Sequence, residues 1–125
     1  ALVLPRGVLP LNIFEPRYLQ MVRDAMAGDR LIGMVQPRGD SDPPPLFDVG
    51  GVGRITQFAE TGDGRLMIAL TGLTRFRIAR ELAVDTPYRQ IEADYGPYGR
   101  DWHPPEPLPH SVRAGLEEAL KLYLE

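Results

Sequence analysis

Leu9-Pro10-Leu11-Asn12-Ile13-Phe14-Glu15-Pro16-Arg17-Tyr18 couples an apolar, extended segment to a helix that starts on proline. Proline cannot donate to a sheet ladder, so the run Leu2 to Phe14, broken by Pro5, Gly7 and Pro10, reads as short edge strands with a bend. Pro16 suits a first helical turn, where its missing N–H would be unpaired in any case. Glu15 stands at the positive end of the helix dipole, where a carboxylate is favoured and can accept backbone N–H groups. Beyond it, Leu19, Val22 and Met26, flanked by Tyr18 and Ala25, predict one apolar stripe opposite Arg17, Gln20, Arg23 and Asp24. Gly28 is the expected stop.

Outward from this junction the pattern turns to strands. Leu31 to Val35 is a short apolar run that suits a buried strand. Residues 38–46 form a polar loop ending in Pro43-Pro44-Pro45, which favours an extended conformation. From Val49 to Tyr95 the chain reads as all-β. Arg54–Glu60 and Arg65–Leu70 flank the hairpin turn Thr61-Gly62-Asp63-Gly64; Thr74–Leu82 follows, and Asp85-Thr86-Pro87 turns into Tyr88–Tyr95. Residues 96–110 read as a Pro-rich linker. From Ser111 the period looks helical, with Val112, Leu116, Leu120 and Tyr123 on one face and Glu117 spaced to pair with Lys121. Three parts are therefore expected: a β domain over 1–95, the linker 96–110, and the start of a helical extension over 111–125. The chain opens on Ala1 and its last helix reaches Glu125 uncapped, so a trimmed start and a truncated extension are expected.

Composition narrows the chemistry. The 125 residues fit one domain, and 43% hydrophobic residues suffice for a core. Gly and Pro number 13 each, a turn-rich content that stays below the disordered range of roughly 25–30%. With no cysteine, disulfide scaffolds, thiolate zinc sites, iron–sulfur clusters and cysteine nucleophiles are excluded. The net charge of −3 supplies no global field toward nucleic acid or anionic lipid. No apolar run approaches the roughly 18–20 residues of a membrane helix, and no secretory leader is visible.

The chemical motifs are sparse. Lys121 has no Gly-rich loop before it, so no P-loop exists. Gly50-Gly51-Val52-Gly53 leads into a strand, not a helix N-terminus, and reads as a bulge or bend. Ser41 and Ser111 stand in no nucleophile elbow. His103 and His110 match no metal-ligand spacing, and Asp40-Ser41-Asp42 lacks the rest of a calcium loop. Arg38-Gly39-Asp40 reads as a turn. Arg75, Arg77, Arg80 and Arg89 could make a phosphate-binding strip, but Glu60, Glu81, Glu92 and Asp94 on neighbouring strands favour a salt-bridged outer face. No catalytic residue, metal ligand or cofactor is expected.

The opening decapeptide resembles the signature of the Lon-protease N-terminal substrate-binding domain family. The likeness continues in Gly53-Arg54-Ile55, in the hairpin Gly62-Asp63-Gly64-Arg65, in Gly72-Leu73-Thr74-Arg75-Phe76-Arg77-Ile78 and in Pro87-Tyr88, spanning most of residues 1–95. It implies a mainly β (α+β) fold, a PUA-like β pseudo-barrel with one helix, followed by the start of an α-helical extension. The signature positions are Pro10, Phe14, Glu15, Pro16, Arg17, Tyr18, Gly72, Arg75 and Phe76, each expected to serve as scaffold. The ATPase and Ser–Lys peptidase modules of full Lon proteases are not found here, so the likeness implies a standalone, non-catalytic form. It further implies a cytoplasmic, bacterial protein that binds unfolded or peptide substrates in protein quality control, with a protease or a second copy as candidate partners.

Leu9, Leu11 and Ile13 are the candidate peptide-binding edge, which an extended chain would join by strand addition. Two alternatives stay open. One is an RNA-binding PUA-like module, disfavoured by the acidic balance and the missing stacking aromatics. The other is a hydrolase built on Glu15, Glu117 and Glu118.

Overall fold

A computed structural model describes residues 6–36, 46, 48–96 and 108–116. The elements run β1 (Val8–Ile13), α1 (Pro16–Ala27), β2 (Leu31–Val35), β3 (Val49–Glu60), β4 (Leu66–Glu81), β5 (Arg89–Asp94) and β6 (Ser111–Leu116). The strand order is β1-β4-β3-β2-β6-β5, and β5 returns to pair with β4. The last five strands of that order thus close into a barrel, as expected for a mainly β fold with one helix. β1 lies outside the ring: it pairs with Leu66–Thr71 of β4, and β5 takes the same strand further along, at Arg77–Glu81. Neighbours are antiparallel except β2 and β6, which run parallel.

Helix α1 begins with Pro16 in its first turn, after the extended Glu15, and ends at Gly28. Its buried stripe is Tyr18, Met21, Val22 and Ala25, while Leu19 and Met26 are only partly buried. The expected stripe is therefore corrected by rotation toward Met21. Glu15 caps with its backbone alone: its carbonyl accepts the N–H groups of Tyr18 and Leu19 at 3.0 and 2.9 Å, and its side chain makes no cap bond. Gly28 is not left-handed; Arg30 is, at φ 63°, and its N–H reaches the Ala25 carbonyl at 2.8 Å.

Strand β2 is buried throughout, as its unbroken apolar run predicts. Ile32 and Met34 join a core with Leu11, Ile13, Leu66, Leu70 and the helix; Leu31 and Val35 face a second core with Val52, Phe76, Ile91 and Val112. The two strands expected at 65–70 and 74–82 are one, β4 (Leu66–Glu81), because β3 pairs with it on both sides of Gly72. Gly50, Gly51 and Gly53 lie inside β3, and the register shift between Val52 and Gly53 is the expected bulge. A Cβ on Gly50 would sit 2.7 Å from Phe76 Cζ and 2.9 Å from the Met34 carbonyl, so this glycine makes room for the Phe76 ring.

The expected helical start at Ser111 is corrected. Residues 111–116 are strand β6, paired with both β2 and β5. Val112 and Leu116 satisfy a helical spacing, but Val112 and Ala114 also alternate, and both are buried. Two strands offering free ladder groups outweigh the local preference. The β domain therefore does not end at residue 95. Residues 1–5, 37–45, 47, 97–107 and 117–125 lie outside the described residues. With them fall most of the 38–46 loop and the 96–110 linker, Ser41, His103, Glu117, Glu118 and Lys121.

Candidate functional site: an open strand edge beside an apolar groove

Glu15, Pro16, Arg17 and Tyr18 meet at the junction where the helix leaves β1. Arg17 pairs with Glu15 at 3.3 Å, and its guanidinium lies 4.5 Å from the centre of the Tyr18 ring. The Tyr18 hydroxyl accepts the backbone N–H of Leu116 at 2.9 Å, and burial pushes its phenol above its ordinary pKa. Pro16 starts the helix, and Phe14 is half-buried between strand and helix. Gly72 is buried in β4 and bonds to Gly7 and Arg6. Phe76 is fully buried, edge-on to Tyr95 at 6.4 Å. Arg75 is exposed.

The chemistry of β1 follows from its register. Gly7 stands opposite Gly72 in continuation of the β1–β4 ladder, and the Gly72 N–H donates to the Gly7 carbonyl at 2.8 Å. Antiparallel pairs alternate between bonded and non-bonded, so Leu9, Leu11 and Ile13 turn their backbone groups toward β4. Val8, Pro10 and Asn12 turn theirs toward the opposite edge, which no strand among the described residues occupies. Pro10 thus places its missing N–H on the open side. Of the side chains singled out from sequence, Leu11 and Ile13 are in the core and Leu9 is partly buried against it.

The outer face beside this edge is apolar. Pro10, Ala59, Met67 and Ala69, with Gln57, line a shallow groove of about 300 Å³. Its lining side chains carry no formal charge. Met67 is 43% exposed, where most large apolar side chains are buried, and Val8 on the same face is 64% exposed; Phe58, 38% exposed, stands opposite the buried Ile68 and so belongs to the other face. The register brings the groove residues together: Asn12 and Ala59 flank Met67, and Pro10 and Gln57 flank Ala69. A register shift between Ile55 and Gln57 resets which β3 residues face outward. Thr56 and Thr71 close the groove's far end with a hydroxyl pair at 3.0 Å.

The arginine strip is largely spent on ion pairs. Arg77 holds Asp94 at 3.0 Å, Arg80 holds Glu92 at 2.8 Å and Arg89 holds Glu81 at 2.6 Å. Glu60, expected among these partners, instead meets Arg23 of the helix at 3.4 Å. Asp94 is held below the usual carboxylate range by the Gly96 N–H and by Arg77. Among the described residues no group of His, Asp and Glu is placed to hold a metal ion, and no helix is long and apolar enough to cross a membrane.

The sequence profile of the ATP-dependent protease La (LON) substrate-binding domain matches residues 1–124. Lon protease 2 of Myxococcus xanthus is 32% identical over 94 residues, covering 72% of this chain and 11% of that protein. Lon protease of Trichlorobacter lovleyi is 32% identical over 126 residues, 96% of this chain and 15% of that protein. The chain thus spans a small fraction of these relatives' length. The crystal structure of a Lon N-terminal domain protein from Xanthomonas campestris aligns with a TM-score of 0.53 at 32% identity, over 68% of this chain and 48% of that one. The chain belongs to the LON substrate-binding domain family.

Proposed function

We propose that this chain is a non-catalytic module that holds segments of unfolded polypeptide, and that it serves cytoplasmic protein quality control by presenting them to a protease. The observation that carries the reading is the apolar groove around Met67 lying directly beside the open edge of β1. An extended segment added to β1 would meet the backbone groups of Val8, Pro10 and Asn12 and lay alternate side chains over the groove. Leu9, Leu11 and Ile13 would act from beneath, by fixing β1 in register against the core. A second copy could dock on the same edge. RNA is the weaker reading, since among the described residues Arg77, Arg80 and Arg89 are already paired with carboxylates.

The test is a titration of fluorescently labelled, reduced and carboxymethylated α-lactalbumin, a permanently unfolded chain. Saturable binding that Met67→Asp weakens about tenfold or more supports the reading, since the substitution buries a charge against any apolar occupant. Absence of saturable binding at high micromolar concentration, or equal binding by a folded Met67→Asp variant, rejects it.

A further inference from the structure

We infer that Met67 is a site of reversible oxidation by hydroperoxides, and that its sulfoxide closes the groove to apolar segments. The second half of this inference rests on the groove reading above. The chain has no cysteine and four methionines, so peroxide chemistry at sulfur falls on thioethers alone. The four are unequal. Met21 and Met34 are fully buried in the core, Met26 is packed partly against it, and Met67 is 43% exposed. Oxygen transfer requires the sulfur lone pair to reach the peroxide bond in line, and Met67 alone combines high exposure with a position on the outer sheet face.

The step is balanced with hydrogen peroxide as the oxidant. A lone pair on the Met67 sulfur attacks one peroxide oxygen, the S–O bond forms as the O–O bond breaks, and the sulfur loses two electrons. The hydroxyl proton of the transferred oxygen goes to the departing hydroxide, which leaves as water. Reduction draws two electrons from two thiols through a methionine sulfoxide reductase: the sulfoxide oxygen leaves as water and the thiols become a disulfide.

The position gives the change its effect. Met67 stands between Asn12 of β1 and Ala59 of β3, at the centre of a groove whose lining side chains are uncharged. Its unbranched thioether is a soft, adaptable contact for apolar side chains of varied shape. The sulfoxide replaces that contact with a strongly polar S–O group, which an apolar occupant would strip of water without offering a donor.

The test treats the folded protein with limiting hydrogen peroxide and reads two quantities. Peptide mass spectrometry is expected to place the first added oxygen on Met67, ahead of Met26 and far ahead of Met21 and Met34. Binding of the labelled α-lactalbumin probe is expected to weaken about tenfold, the loss of one large apolar contact, and to recover after reductase treatment. Met67→Leu, whatever its own affinity for the probe, is expected to show no change in that affinity on peroxide treatment. Oxidation of Met26 before or together with Met67 overturns the site assignment. Undiminished binding by the Met67 sulfoxide, when Met67→Asp weakens binding, overturns the switch alone. Failure of the untreated protein to bind overturns the groove reading and the switch with it, while the oxidation order is still read from the masses.

Discussion

The hydroxyl of Tyr18, in the first turn of the helix, accepts the backbone N–H of Leu116, the last residue of β6, at 2.9 Å across 98 positions of sequence. One side chain of the opening signature therefore holds the strand that closes the barrel. The Arg113–Asp29 pair at 2.8 Å ties β6 to the residues just after the helix, and the Arg17 guanidinium packs over the same Tyr18 ring from within the helix.

Tyr18→Phe keeps the ring and removes the acceptor, leaving the Leu116 N–H unpaired. The expected cost is about 1–2 kcal/mol, read as a lower urea midpoint at unchanged slope. Hydrogen exchange should quicken at residue 116 more than in β3. A midpoint equal to that of the native chain would show that water replaces the hydroxyl without loss.

The Tyr88 hydroxyl donates to Asp24 Oδ2 at 2.6 Å and Gln20 donates to Oδ1 at 2.8 Å, and together they hold the Asp24 carboxyl below its ordinary value of 3.8. A depressed folded pKa contributes stability that is present above the unfolded value and is lost as pH falls through the folded one. Tyr88→Phe should therefore lower stability most at neutral pH, and the gap between variant and native chain should narrow as pH drops below 3.8. Denaturation curves across the acid range check this, and a gap independent of pH contradicts it.

Gly50 and Phe76 face each other across β3 and β4, and Gly50→Ala would drive a Cβ to within 3 Å of both the Phe76 ring and the Met34 carbonyl. Backbone cannot yield as a flexible side-chain tip can, so a loss of about 3 kcal/mol is expected. Gly62→Ala is the control: nothing lies within 4 Å of its Cβ, and thermal melting should change little or rise slightly.

Signals a few residues long were readable without the structure. Pro16 and Gly28 bracket the helix, Leu31–Val35 is strand, and Thr61–Gly64 is turn, because each depends on local chain geometry. The misread elements depend on partners far away. Val112 and Leu116 fit a helical period as well as a strand period, and the free ladder groups of β2 and β5 choose between them. The groove was hidden for the same reason: Pro10, Ala59 and Met67 come from three strands and share no motif. The open edge needed the register itself, since a slip of one residue would exchange the roles of Leu11 and Asn12.

Arg30, an exposed residue, holds the left-handed conformation that ends the helix, at φ 63°. Its carbonyl accepts the Ile55 N–H at 2.8 Å, so the conformation is fixed by the sheet. Arg30→Gly should relieve about 1–2 kcal/mol of backbone strain and return about 0.5–1 kcal/mol as unfolded-state entropy. The melting temperature should rise by a few degrees. A fall would mean that the arginine side chain makes a contact worth more than the strain.

Pro10 interrupts the donors along the open side of β1, between Val8 and Asn12. Natural sheets use proline in this way to discourage pairing with further strands, while the carbonyl at the same position remains able to accept. Pro10→Val restores the donor and keeps an apolar side chain over the groove. The variant should bind the unfolded probe more tightly by a few-fold, about the worth of one exposed backbone hydrogen bond. It should also show a higher weight-average mass than the native chain in sedimentation equilibrium at matched concentration. Tighter binding with rising mass identifies β1 as the docking edge for both an added peptide and a second copy. If neither changes in a folded variant, polypeptide is held by the groove's side chains alone, and the backbone of β1 takes no part.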